Sequence, residues 1–312
     1  MHAVPLSEQP LEPADRSLKS MFVRIGLLTG GVLVATFAAT WIYFHPPAQR
    51  QRGICYGERA GVNLCLDIAQ PEAANGLGIV FIVSGGWKSH PDRPHEWLTA
   101  PFLRHGFTVF SVFHLSQPRA TVAEIFADVS KAVGFIRSRA EDYGVDPDRL
   151  GVIGGSAGGH LSLLLATRGG PGADAADLAR SVRAAAVFCP VTDLTDLTGS
   201  TEDPGDGGPP RNFHAAFDQE PIDMDRWRKT ARELSPLLHV TRDLPPTLIF
   251  HGDRDTLVPI SQSERFRDAA AAAGRDVELV VIRGAGHTWL TLPLQLLRAA
   301  RWFDAQLCPR AN

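Results

Sequence analysis

Apolar residues recur along this chain in short, nearly unbroken runs separated by segments with a helical period. The runs 79–83, 108–113, 150–153, 184–189, 247–250 and 278–282 are rich in Val, Ile, Leu, Phe and Ala. Runs of that length without polar alternation predict strands buried on both faces. Between the second and third, Ile125, Val129, Ala132, Val133, Ile136 and Ala140 fall on one helical face, and Thr121 with Glu124 makes a capping box at its start. Alternating strand and helix signals predict an α/β fold, a mostly parallel central sheet flanked by helices.

Two stretches interrupt that alternation. Residues 25–44 carry no charge and are long enough, at about 1.5 Å per residue, to span a hydrocarbon core of about 30 Å. Arg24 precedes them, and Trp41 and Tyr43 lie near their end, where amphipathic rings favour a membrane interface. An anchor fits better than a cleaved leader, because the run is long and no Ala-x-Ala site precedes Pro46-Pro47. The expected organisation is a tail over 1–24, a transmembrane signal-anchor over 25–44, a linker over 45–53 and a catalytic domain over 54–308. Within that domain, 191–240 contains a Gly/Pro/Asp-rich stretch and then Phe213, Phe217, Trp227 and Leu234, which predicts a cap or lid insertion after the sixth strand.

Composition narrows the partners. The 312 residues are 44% hydrophobic and 21% charged, with a net charge of −3 and a pI near 6.4. A disordered chain is excluded, and no broad positive field would draw nucleic acid. No segment repeats at a fixed period. The partner expected is a small molecule.

Four cysteines are present. Cys55 and Cys65 flank the turn-like 57–61, so a hairpin centred near residue 60 would set them face to face, either bonded or as two reduced strand residues. Cys189 ends an apolar run and reads as a buried core thiol. His90 and His95 lie in a polar loop without a third ligand, and neither a metal site nor a cofactor is expected.

The strongest chemical signal is Gly154-Gly155-Ser156-Ala157-Gly158, which directly follows one strand run and precedes a helical one. A strained strand-to-helix turn between small residues lifts a serine hydroxyl above the sheet edge, with a helix N-terminus beside it. Such a hydroxyl needs a base, and the base needs a carboxylate. His287 in Gly284-Ala285-Gly286-His287 follows the last strand run; Asp255 follows the one before, with Asp253 two residues away as the other candidate acid. The order Ser, Asp, His is that of α/β-hydrolases. Gly85 and Gly86, after the first strand run, and Ala157, after the nucleophile, are the candidate oxyanion donors. Trp87 beside them is the candidate substrate contact.

Over roughly residues 54–305 the chain resembles α/β-hydrolase superfamily esterases of the hormone-sensitive-lipase-like and bacterial feruloyl or acetylxylan groups. The resemblance rests on Gly85-Gly86-Trp87, on Asp146-Pro147-Asp148-Arg149-Leu150 leading into 154–160, on Leu234-Ser235-Pro236, and on the Asp255 and His287 segments. The family's His-Gly-Gly-Gly signature becomes Val83-Ser84-Gly85-Gly86 here, without the leading histidine. The resemblance implies the α/β-hydrolase fold and a serine carboxylesterase acting on a small or medium ester through an acyl-enzyme. A peptidase or aryl formamidase would use the same triad, and a membrane-tethered binding domain without chemistry would break it. Basic residues flank the apolar span equally, Arg16, Lys19 and Arg24 before and Arg50, Arg52 and Arg59 after. A short N-terminal tail is the easier side to retain, so the enzyme is expected to be extracytoplasmic.

Overall fold

A computed structural model describes residues 13–92, 96–169 and 182–308, with residues 13–20 by backbone only. Its contacts divide the chain into two units, 1–45 and 46–312.

The first unit is the helix α1, Pro13–Phe44. Pro13 stands at its first position, where the missing N–H costs no hydrogen bond. Within α1, Met21–Phe44 is long and apolar enough to cross a membrane, with a mean hydropathy of 1.8. Its large side chains, Leu27, Leu33 and Phe37 among them, are exposed. The helix thus contains the expected span 25–44 and starts well before it.

The second unit is built on strands β1 (Ala48–Arg59), β2 (Val62–Pro71), β3 (Gly78–Ile82), β4 (Thr108–Val112), β5 (Leu150–Gly155), β6 (Val182–Phe188), β7 (Thr247–Gly252) and β8 (Val277–Ile282). They form one sheet in the order β1-β2-β4-β3-β5-β6-β7-β8. The strands from β4 through β3 to β8 run parallel, while β1, β2 and β4 pair antiparallel. Strands β3 to β8 are those the apolar runs predict. Residues 48–53, read from sequence as linker, belong instead to β1. They are polar because β1 is an edge strand, and its Arg50, Arg52 and Arg59 are of the kind that blunts an edge. The hairpin turns at Ala60-Gly61 and sets Cys55 directly opposite Cys65, their Sγ atoms 3.1 Å apart.

Helices α2 (Glu96–Arg104), α3 (Val122–Ser138), α4 (Ala157–Arg168), α6 (Ser261–Ala272) and α7 (Leu292–Leu307) cover the sheet, while α5 (Met224–Glu233) lies in the connection between β6 and β7. Thr121 and Glu124 close their capping box on α3. Strand alternation sorts the core. Val80, Phe110 and Val152 meet Ile125, Val129 and Leu161 of α3 and α4 on one face. Ile79, Val109 and Ile153 meet Phe102 and Phe303 of α2 and α7 on the other. This two-sided burial is why the strands read as continuous apolar runs.

Residues 190–246 connect β6 to β7 and contain α5 and two short 3-10 turns, Ala215–Phe217 and Pro236–His239. The near end of this insertion is fastened by Gln262 of α6. Its Oε1 accepts from the Thr192 and Asp193 N–H groups, and its Nε2 donates to the Asp193 and Asp196 carbonyls. The middle is held by aromatic packing: Phe217 meets Trp227 edge-on at 5.3 Å, and the Trp227 indole N–H donates to the Gly207 carbonyl. Trp227, Phe217 and Leu234 are buried.

Candidate active site

Four loops at the C-terminal ends of β3, β5, β7 and β8 build the site, where open α/β sheets place their ligands. At the end of β5 the chain turns into α4 through Ser156, whose backbone lies at φ +53°, ψ −119°. A non-glycine residue held there is strained and is fixed by its surroundings. The Ser156 N–H donates to the Phe188 carbonyl at 2.8 Å. The turn closes only because its neighbours lack side chains: a Cβ on Gly154 would lie 2.4 Å from the Gly158 carbonyl.

Ser156 Oγ–H donates to His287 Nε2 at 3.0 Å, and His287 Nδ1–H donates to Asp255 Oδ2 at 2.7 Å. The Asp255 side chain is wholly buried, while the His287 ring is 22% exposed. The other carboxylate oxygen, Oδ1, accepts from the Leu257 and Val258 N–H groups, which fixes its plane. Asp253, the other candidate acid, accepts from the Gly284 N–H and ties the two loops together instead.

Burial alone would raise the Asp255 carboxyl. Hydrogen bonds from His251, His287 and the Val258 N–H outweigh it and hold the group well below the usual carboxylate range. Burial would likewise lower His287, but the buried Asp255 carboxylate dominates and raises it above an ordinary imidazole.

The two glycines expected as oxyanion donors part company. The Gly85 N–H donates to the Lys88 carbonyl at 2.9 Å within a small antiparallel bridge, so it is not available to an oxyanion. Among the described residues, the N–H groups of Gly86 and Ala157 have no protein acceptor, and both residues line the cavity at Ser156. Ala157 is the first residue of α4, where an N–H lacks an intrahelical partner.

Trp87 also lines this cavity but is 4% exposed, and its larger part is structural. Phe213 and Phe217 of the insertion meet its ring edge-on at 5.1 Å each. Its indole N–H donates to His160 Nδ1 at 3.2 Å, and His160 Nε2–H donates to the Leu234 carbonyl at 2.7 Å. Complete burial pushes His160 down to about 4, so the ring is neutral.

Sequence reasoning missed the contacts of three histidines and one contact of a cysteine. His160 follows the nucleophile motif but reads as an ordinary helical residue. His251 is fully buried, with Nε2–H donating to the Val258 carbonyl and 3.4 Å from Asp255 Oδ2, and Nδ1 accepting from the Ser263 hydroxyl. His114 Nε2 accepts from the Ser84 hydroxyl, so a histidine just beyond β4 supports the loop carrying Gly85 and Gly86 although the signature's leading histidine is missing. Cys189 is buried, as expected, yet its thiol donates to the His287 carbonyl. Its sulfur lies within 4.8 Å of ligand atoms of Asp255 and His287, the one such group among the described residues. Two of its three members are already bonded to each other. His95 lies outside the described residues.

Residues 66–269 match the BD-FAE family model. The chain belongs to the BD-FAE family. Esterase LipQ of Mycobacterium tuberculosis (strain ATCC 25618 / H37Rv) is 32% identical to this BD-FAE member over 74% of the chain and 56% of its own length. The isoprenylcysteine alpha-carbonyl methylesterase ICME of Arabidopsis thaliana is 25% identical over 78% and 58%. The chain thus spans little more than half the length of these curated relatives. Among solved structures, Thermogutta terrifontis esterase 2 phosphoramylated by tabun matches with a TM-score of 0.66 at 27% identity, covering 85% of this chain and 97% of that one. A truncated carbohydrate esterase from gut microbiota shares the fold, with a TM-score of 0.66 at 23% identity over 83% and 96%. This BD-FAE chain therefore has the α/β-hydrolase fold and esterase homologues.

Proposed function

We propose that this protein is a serine carboxylesterase that cleaves a small or medium ester through an acyl-enzyme. The observation that carries this reading is the unbroken series from the Ser156 hydroxyl through His287 to the buried Asp255 carboxylate, opening onto an apolar cavity. Ser156 Oγ attacks the ester carbonyl as His287 Nε2 takes its proton, and the Gly86 and Ala157 N–H groups receive the carbonyl oxygen as it gains charge. The alcohol departs with a proton from His287. Water then attacks the acyl-enzyme with His287 as base again, and Ser156 regains its proton. No step requires a metal or organic cofactor. The esterase relatives support an ester substrate, and the organophosphate adduct carried by Thermogutta terrifontis esterase 2 is a chemistry expected of an activated serine.

The same reading places helix α1 in a membrane, with the catalytic unit on the extracytoplasmic side and residues 191–240 acting as a cap over the site. Substituting Ser156→Ala is expected to lower ester turnover by about four orders of magnitude with melting unchanged. A fluorophosphonate probe should label the parent protein and not this variant. Retained turnover or retained labelling in the variant rejects Ser156 as nucleophile.

A further inference from the structure

One carboxylate borders the cavity that contains Ser156, that of Glu202 in the insertion. It is clamped by a single residue: Oε2 accepts from the Asn212 backbone N–H at 3.0 Å, and Oε1 accepts from the Asn212 side-chain amide at 2.9 Å. The clamp sets the acid beside Phe213, which follows Asn212 in the chain and lines the same cavity. The Phe213 ring stands 3.5 Å from where a Cβ on Gly86 would lie. Among the described residues no Lys, Arg or His pairs with Glu202. Arg211, the nearest basic residue in sequence, gives its Nε–H to the Asp203 carbonyl.

Resting on the esterase reading above, we propose that Glu202 selects esters that carry a cationic alkylammonium group. The argument is an inventory of what the cavity wall has left to offer. Gln262 commits its side-chain amide hydrogens to the Asp193 and Asp196 carbonyls. Ser200 gives its hydroxyl proton to the Leu257 carbonyl, and the Trp87 indole N–H goes to His160. On the esterase reading, the Gly86 and Ala157 N–H groups receive the oxyanion. Beyond Ser156 itself, the side chains of the wall therefore have no spare proton and one carboxylate. A substrate anion placed there would lose water and gain no donor, while also meeting a like charge. A cation meets the carboxylate and, in Phe213, an aromatic ring.

The surrounding charge has the same sign. Residues 190–210 include Asp193, Asp196, Glu202, Asp203 and Asp206 and no Lys or Arg. Arg265 pairs with Asp193 and Asp196, and the other three acids have no ion pair among the described residues. Glu202 is part-exposed, so its charge is reached from solvent as well as from the cavity. Such a face raises the local concentration of cations beside the nucleophile.

The test uses the full chain in non-ionic detergent with two cationic esters, choline butyrate and the methyl ester of trimethylammoniobutyrate. Each is run beside the neutral ester in which tert-butyl replaces trimethylammonium. One cation sits on the alcohol and the other on the acid, so the readout does not depend on which half enters the cavity. Wild type is expected to favour the cation over its neutral partner in kcat/KM by about tenfold or more in at least one pair. Glu202→Gln keeps the size and a hydrogen bond to Asn212, and should bring that ratio to near one through KM rather than kcat. Glu202→Asp keeps the charge and should retain part of the preference. Ratios are read within each variant, so partial loss of folded enzyme cancels. Added salt should raise KM for the cation alone, since screening weakens only the charged contact. Monomethyl glutarate, an anion, should be the slowest ester in wild type. Parity or a neutral preference in both pairs, a cation preference that survives Glu202→Gln, one lost as fully in Glu202→Asp, or monomethyl glutarate overtaking the neutral esters overturns selection by Glu202 while leaving the esterase reading intact. Failure of wild type to cleave any of the five esters overturns both.

Discussion

A side chain at Gly252 would have nowhere to go, because its Cβ would lie 2.4 Å and 2.5 Å from the carbonyl oxygens of Ala285 and Gly286. Those residues carry His287, so the last residue of β7 sets how closely the base approaches the acid. Substituting Gly252→Ala is expected to push the His287 loop outward and lower kcat at least tenfold, a displacement of about 1 Å being enough for such a loss. The check is turnover together with the rate of fluorophosphonate labelling; an unchanged labelling rate would contradict it. Proton occupancy at His287 gives a second expectation. Attack requires the neutral ring, and Asp255 raises its pKa, so kcat/KM should rise with pH through a limb above the ordinary imidazole value of about 6.5. Asp255, depressed, stays ionised across that range. Replacing it with Asn should move the limb down as well as slow turnover, which a pH profile reads directly. Ser156 and His287 were legible because each follows an apolar run at a strand end. Asp255 was preferred over Asp253 from the sequence, and the fold shows that Asp255 is the one that faces the ring. Gly85 was misread because its tight turn back to Lys88 leaves no trace in residue type.

Among the elements, the outer half of β1 was the least visible in the sequence, although the hairpin turn near residue 60 was expected. Its outer strand is polar along the edge, and irregular registers between Gln51 and Ile54 and between Cys55 and Gly57 break any period of two. The central strands and α3, by contrast, carry their signals locally, as two-sided burial and as a capping box. Direct opposition of Cys55 and Cys65 lets the hairpin cross-link with little backbone movement. In an oxidising compartment the pair is expected to form a disulfide. By loop-closure entropy it should stabilise the catalytic unit by about 2–3 kcal/mol, seen as a higher melting temperature that reductant or Cys65→Ser removes. Thiol counts of four in protein purified under oxidising conditions would contradict it. Arg59 adds a second fastening at the same hairpin through its paired hydrogen bonds to the buried carboxylate of Asp128 on α3.

At the scale of the molecule, the anchor reading of the apolar helix makes a prediction of its own. The chain is expected to sediment with membranes and to be released by detergent, with high salt leaving it bound, because apolar insertion is insensitive to ionic screening. Release by salt alone would argue against an anchor. The catalytic unit was legible as a whole because a parallel sheet forces strands to be apolar and places every functional loop at the same edge. The insertion was legible only as an interruption, since its aromatic contacts join residues distant in sequence. One of those contacts reaches further than packing. The neutral ring of His160 is gripped at both ends, by the Trp87 indole N–H beside the oxyanion loop and by the Leu234 carbonyl at the far end of α5. Leu234 does not border the cavity beside Ser156, yet it is connected to Trp87, next to Gly86, by two hydrogen bonds through one rigid ring. On the esterase reading, a substitution at Leu234 or His160 is expected to reach the Gly86 loop from outside the cavity wall.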